Sequence, residues 1–487
     1  MSKKLSSPLV TLIAVAGCSA ALSAVADDTH RSDFGKKVEM ALHGKSDKLF
    51  GIKRPLGSSA AETSGPYRSA MQTAYDQVLL AKGLKVDYLT RNAANATDMI
   101  ALFPAQNSTH LITCVEGGRQ TIDAAGKFNP SVQRISLTTG AVETILRGMT
   151  ACDGIRTTAW GTILATEETS SGGAYEILNP LTVTNQSILS RDTGAVTDPV
   201  NIAKRTALPR MAWEGIEILP SGVVYAGDEL RPGTGAADAD GGAIFKFVPS
   251  LPFSGNTAIT SLNQSPFVAG FVYAMQVSCV RNTQQYGQGC EIGNASWIGV
   301  NAATARADAA SKGATGYYRP EDLHGDPLFK DAARPAAVRF CWTNTGNEDA
   351  QNYAEVVCAV DSEPQSADPS RRTVAVNRFV EGDLDFNSFD NLAFQPGTGN
   401  LYVIEDHPNG DIFACLRDGA DRDIKSDGCV KILSVKDSSA EPTGFVFSAD
   451  GKTAYVSIQH SDDTNMASFD DYGTDDVLVI TGFDTRR

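Results

Sequence analysis

Basic residues are scarce in this chain, with 42 Lys and Arg against 57 Asp and Glu for a formal charge of -15. Phosphate backbones are held by clustered Lys and Arg, so an acidic surface excludes nucleic acid as a partner. Long hydrophobic runs are also missing: past the N-terminus no stretch reaches the roughly 18 apolar residues that a membrane helix needs, which predicts no transmembrane span. Stretches at helical period are few beyond about residue 100, which argues against a helical bundle. Only six histidines occur. Of these, His324, His407 and His460 fall near the motifs described below, and each reads as a loop residue.

What is present points to β-structure. Apolar residues make up 42% of the chain, enough for a large core. The 44 Gly and 21 Pro punctuate short runs rich in Val, Ile, Thr, Tyr and Phe, the pattern of an all-β architecture. Residues 1–26 read as a secretory signal: Lys3-Lys4, an apolar stretch from Pro8 to Ala16, then small residues. Val15-Ala16-Gly17-Cys18-Ser19 matches a bacterial lipobox that would leave Cys18 lipidated, and Ala24-Val25-Ala26 matches an ordinary cleavage site. Both readings stand, and both predict an exported protein, in the periplasm, outside the cell, or on the outer membrane as a lipoprotein. Removing 1–26 takes away two lysines and no acids, so the charge goes from -15 to -17.

Export permits disulfides, and the chain has nine cysteines. With Cys18 in the signal, Cys279 and Cys290, Cys341 and Cys358, and Cys415 and Cys429 are near neighbours, each pair able to staple a hairpin or loop. Cys114 and Cys152 remain, either to pair with each other or to do separate work.

Residues 27–95 read as a polar lead-in, with a helix over Ser69 to Lys82 capped by Gly83. From residue 96 to 487 one pattern recurs: a turn, a Gly, an alternating strand and an acid pair. It appears at Gly161 to Glu167-Glu168, Gly222 to Asp228-Glu229 and Gly399 to Glu405-Asp406, and at Gly451 with Gln459-His460 in the terminal place; Leu111 to Glu116 is a further partial copy. The glycines are spaced at about 60, about three times 60 and about 50 residues, a period suited to propeller blades with insertions. The expected fold is therefore a β-propeller of about six blades forming one unit.

Successive side chains of a strand point to opposite faces, so an acid pair inside a strand would drive one carboxylate into the sheet packing. At strand ends both can reach one rim. Glu167, Glu168, Glu214, Asp228, Glu229, Glu405 and Asp406 are thus expected around one mouth of the channel. So many crowded carboxylates call for cations.

Cys152, Trp160-Gly161-Thr162, Glu167-Glu168, Glu214, Arg319-Pro320-Glu321-Asp322, Asp390-Asn391-Leu392 and Thr443-Gly444 through Ile458-Gln459-His460 occur in the order found in the PhoX-type alkaline phosphatases. The chain resembles that family from about residue 98 to 465. The resemblance implies a propeller holding ferric iron and calcium at one end of its channel and hydrolysing small phosphate monoesters outside the cytoplasm, as a monomer. It implies that Cys152 ligates iron, with Glu214 and Glu321 as further metal ligands. Glu167, Glu168, Asp228, Glu229 and Glu405 would complete the metal sites, and Arg319 and Asn391 would contact the phosphoryl oxygens. Oxygen donors suit calcium and ferric iron, a thiolate suits a transition metal, and an Arg fork matches phosphate. Two other functions share the pattern: a calcium-binding propeller without turnover, and a calcium-dependent esterase or lactonase.

Overall fold

The computed structural model describes residues 34–63, 68–232, 241–277, 291–368, 370–417 and 428–485. The signal segment 1–26, Cys18 and the pair Cys279 and Cys290 lie outside the described residues. Antiparallel meanders dominate, each built on a strand that lines a central axis. The inner strands are Thr97–Phe103, Cys152–Thr157, Trp213–Ile218, Pro320–Gly325, Phe389–Phe394 and Glu441–Phe447. Each packs against the next, and the last against the first. The turn glycines Gly161, Gly222, Gly399 and Gly451 have φ of +81°, +91°, +71° and +68°, values that a side chain would strain.

The all-β propeller arrangement stands, but the six separate blades expected from the repeat do not. Four sheets are separate blades. In place of two more there is a single ten-stranded sheet, nearly closed on itself. Its two halves join where the strand Gly293–Val300 pairs with Gly270–Val277 on one side and Val374–Glu381 on the other. The insertion between the second and third repeats supplies this bridging strand, and no turn signal marks it.

The lead-in contributes a strand to each of two sheets. The helix predicted over Ser69 to Lys82 is only Ala74–Gln77, started by a capping box between Thr73 and Asp76. Val78–Leu80 then becomes the outermost strand beside Cys429–Val435. Its apolar side chains are claimed by the open edge of that sheet, and tertiary pairing overrides helical spacing. Gly83, with φ +107°, is a turn between strands rather than a helix cap. Lys85–Ala94 pairs with the last strand, Thr474–Thr481, so the start of the domain closes the ring with its end. Arg68, fully buried, forks onto the equally buried Asp476 and anchors this closure.

Among the described residues there are three disulfides, Cys114–Cys152, Cys341–Cys358 and Cys415–Cys429. They fit an extracellular or periplasmic location. No helix of the described residues is long and apolar enough to cross a membrane.

Candidate metal centre

The site begins with an irregularity repeated in all six inner strands. Each pairs with its neighbour, at one position in five strands and at three in Glu441–Phe447, then skips ahead by one extra residue. Thr97 faces Val115 and pairing resumes at Ile100 with Thr113. The same step follows Cys152, Trp213, Pro320, Phe389 and Thr443. Such a bulge bends the strand and re-aims the side chain it carries. The first bulge residue is an acid in five strands, Asp98, Asp153, Glu214, Glu321 and Asp390, and Gly444 in the sixth.

These acids converge. Asp153, Glu168 and Glu214 bring one carboxylate oxygen each within 4.8 Å of one another, and so do Glu214, Glu321 and Asp390. Glu214 belongs to both groups. Close approach requires glycine behind the acids: a Cβ on Gly154 would lie 2.1 Å from the Glu214 carbonyl oxygen, and one on Gly215 would lie 1.8 Å from the Leu323 nitrogen. Asp153 Oδ1 and Glu214 Oε2 are buried with no hydrogen-bond partner.

Burial first, and neighbouring carboxylates second, raise the pKa values of the whole group. Asp153, Glu214 and Asp390 are pushed well above the ordinary carboxylate range, and Glu168 is also raised. Burial and Glu116 lift Asp98 to about 8. Glu321 also rises to about 8, since burial outweighs the opposing pull of Arg319. Glu441, beside Asp406, reaches about 9, again chiefly through burial.

Of the expected ligands, the structure gathers Glu168, Glu214 and Glu321. Glu229 stays at the rim, bonded to Arg319 at 2.6 Å. Glu167, Asp228 and Glu405 are corrections. Each closes its strand with its side chain turned into the blade, since neighbours along a strand face opposite ways. Glu167 accepts from the Thr150 and Gly173 amides and pairs with Arg191 at 2.6 Å. Asp228 accepts from the Ala212 amide and pairs with Arg306. Glu405 accepts from the Asn387 and Asp411 amides, both at 3.0 Å. The first acid of each repeated pair is thus a structural cap.

Cys152 is also corrected: its sulfur is bonded to Cys114, which leaves no thiolate for iron. Asn391 is buried among its own strand's neighbours. Its Oδ1 accepts from Thr443 Oγ1 at 2.7 Å and from the Gly444 amide, while Nδ2 donates to Asp390 at 3.2 Å. It therefore steadies a centre acid, with both ends of its amide bonded within the chain. Arg319, held at φ +55°, sits at the mouth among Glu229, Glu321 and Asp406, at 2.6, 2.9 and 3.3 Å.

Asp98, Asp153, Asp390 and Glu441 were not anticipated as members. The signal for three of them was in the sequence, since Asp98, Asp153 and Asp390 each occupy the second residue of an inner strand, as Glu214 and Glu321 do. That register becomes visible only once the inner strands are aligned on their bulges.

The family described as Alkaline phosphatase PhoX matches residues 138–462. No curated protein matches the chain. Among solved structures, a protein described as a glucose dehydrogenase oxidoreductase from Thermus thermophilus is similar at 13% identity and a TM-score of 0.42, over 82% of this chain and 100% of that one. The PQQ-bound aldose sugar dehydrogenase of Streptomyces coelicolor is similar at 11% identity and a TM-score of 0.38, over 83% and 99%. The soluble aldose sugar dehydrogenase of Escherichia coli is similar at 9% identity and 0.38, over 82% and 99%. The family match spans most of the chain and every acid of the two groups, so the chain belongs to the PhoX alkaline phosphatases.

Proposed function

We propose that this protein is an exported, metal-dependent phosphatase that hydrolyses phosphate monoesters at the mouth lined by Asp153, Glu168, Glu214, Glu321 and Asp390. The observation that carries the reading is the sharing of Glu214 between two carboxylate groups, with oxygens of Asp153 and Glu214 buried and unpartnered. Buried anions in contact are sustained by cations, and the donor set is all oxygen, which fits calcium and ferric iron. Asp153, Glu168 and Glu214 would hold one cation and Glu214, Glu321 and Asp390 another. When bound, these cations supply Lewis acidity toward the phosphoryl oxygens and activate water.

The chain's own residues do the positioning. Arg319 offers a planar fork to the equatorial oxygens of the phosphoryl group. Glu229 and Asp406 hold that guanidinium over the mouth, and Glu321 links it to the centre. Thr345 Oγ1 donates to Glu321 at 2.6 Å, so the carboxylate keeps its orientation. Asn391 does the same for Asp390.

The test is hydrolysis of p-nitrophenyl phosphate at alkaline pH, with iron and calcium measured in the same sample. Hydrolysis that disappears with a chelator supports the reading. A loaded sample that binds both cations and hydrolyses nothing refutes it and leaves a calcium-binding propeller; hydrolysis of aryl acetates or lactones alone leaves the esterase.

A further inference from the structure

Next to the acidic mouth the opposite charge collects. Arg191 donates to both oxygens of Glu167 and, at 3.2 Å, to Thr169 Oγ1, one residue from Glu168. Arg210 reaches the carbonyl of Ser171 in the same turn. Lys204 lies flat between two glycines: a Cβ on Gly173 would meet its Cε at 2.7 Å, and one on Gly194 would meet its Cβ at 2.7 Å. Its ammonium donates to the Arg191 carbonyl. Arg119, stacked on Phe128, donates only to the Gly148 and Ile188 carbonyls.

Arg191 is balanced by Glu167. Among the described residues, Arg119, Lys204 and Arg210 form no ion pair with a carboxylate, although the chain carries a formal charge of -15. A second, independent observation sits in their midst. Tyr175 faces Lys204 across the strand pair. It is fully buried, and its hydroxyl has no hydrogen-bond partner. The charges acting on that hydroxyl include Glu167, Arg191 and Arg119. Lys204 in turn is pushed down by burial; Glu167 and Asp192 pull it back up, and Arg210 and Arg191 crowd it in the sense of burial. Four cations, Arg119, Arg191, Lys204 and Arg210, thus stand against two carboxylates, Glu167 and Asp192, around a stranded donor, and an excess of cations at a buried donor makes a place for an anionic group.

We propose that Lys204, Arg210 and Tyr175 form a subsite for a second anionic group on the substrate, so that the enzyme favours organic phosphates carrying another phosphate or a carboxylate. This inference rests on the phosphatase reading. The turn Thr169–Gly173 connects the two places: Glu168 at its start belongs to the acid centre, and the cations surround its remainder. A monoester with one charged group would fill only the centre, while a doubly charged one would reach across the turn.

The experiment compares p-nitrophenyl phosphate with fructose bisphosphate in the full protein and in Lys204→Ala and Arg210→Ala. Neither side chain holds a carboxylate, and Arg210 is exposed, so at least one variant keeps the fold. Each variant is expected to lose about tenfold in kcat/KM on the bisphosphate, the loss of one charge-assisted hydrogen bond. On p-nitrophenyl phosphate the change stays within about twofold. A parallel loss on both substrates, or no loss on either, overturns the subsite. If the unaltered protein hydrolyses neither ester, the phosphatase reading fails separately, and calorimetric binding of fructose bisphosphate decides: weaker binding by Lys204→Ala supports the subsite, and equal binding overturns it.

Discussion

The carbonyl oxygen of Glu214 passes 2.1 Å from where a side-chain carbon on Gly154 would stand. Two bulged inner strands therefore touch backbone to backbone, and this contact sets the distance between Asp153 and Glu214. Gly154→Ala is expected to push the strands apart, lowering metal content and reducing hydrolysis of p-nitrophenyl phosphate by about tenfold or more. Unchanged metal content in a folded variant would mean that the approach of the strands does not organise the centre.

The acids of the centre also predict a pH dependence. Asp98 and Glu321 at about 8 and Glu441 at about 9 lie above their values in an unfolded chain, which are about 4. Between these limits the native state binds more protons than the unfolded one, so stability falls as pH rises. In a chelator the urea midpoint should drop steadily from about pH 5 to about pH 9, and bound cations should flatten the slope. A flat profile in chelator would contradict the crowding of these carboxylates.

The bond between Cys114 and Cys152 closes a loop of sequence separation 38. On a loop-entropy account that is about 4 kcal/mol of stability. Cys152→Ser should therefore unfold at lower urea while binding the same amount of iron. Loss of iron at unchanged stability would return Cys152 to the metal centre.

Arg68 and Asp476 are both fully buried and 2.6 Å apart. Arg68→Ala leaves the Asp476 charge in the interior with the Gln77 amide and the partly exposed Arg91 as its remaining partners. Such losses cost about 3–5 kcal/mol, readable as a shift in the urea midpoint. A shift below about 1 kcal/mol would show that the lead-in does not secure the ring.

Much of this was legible in the sequence, and what escaped has physical reasons. The turn glycines and alternating strands announced a propeller, because a two-residue period and a left-handed turn are local properties. The joining of two meanders through Gly293–Val300 was not legible, since edge pairing depends on which strands end up adjacent. The acid pairs were visible, but Glu167, Asp228 and Glu405 face inward while Glu168 and Glu229 face the mouth, a choice made by strand alternation and by amides contributed from neighbouring turns. Asp153 and Asp390 lie where a one-residue bulge re-aims them. A bulge leaves no residue signature of its own.

Glu214 is the acid common to both groups, so reconstitution of Glu214→Gln tests the central claim most directly. The unaltered protein, stripped by a chelator and given back calcium and iron, should recover both its cations and its hydrolysis of p-nitrophenyl phosphate. Under the same treatment Glu214→Gln should fold normally, take up less metal and remain at least about a hundredfold slower. Full metal uptake and full activity in Glu214→Gln would contradict the account.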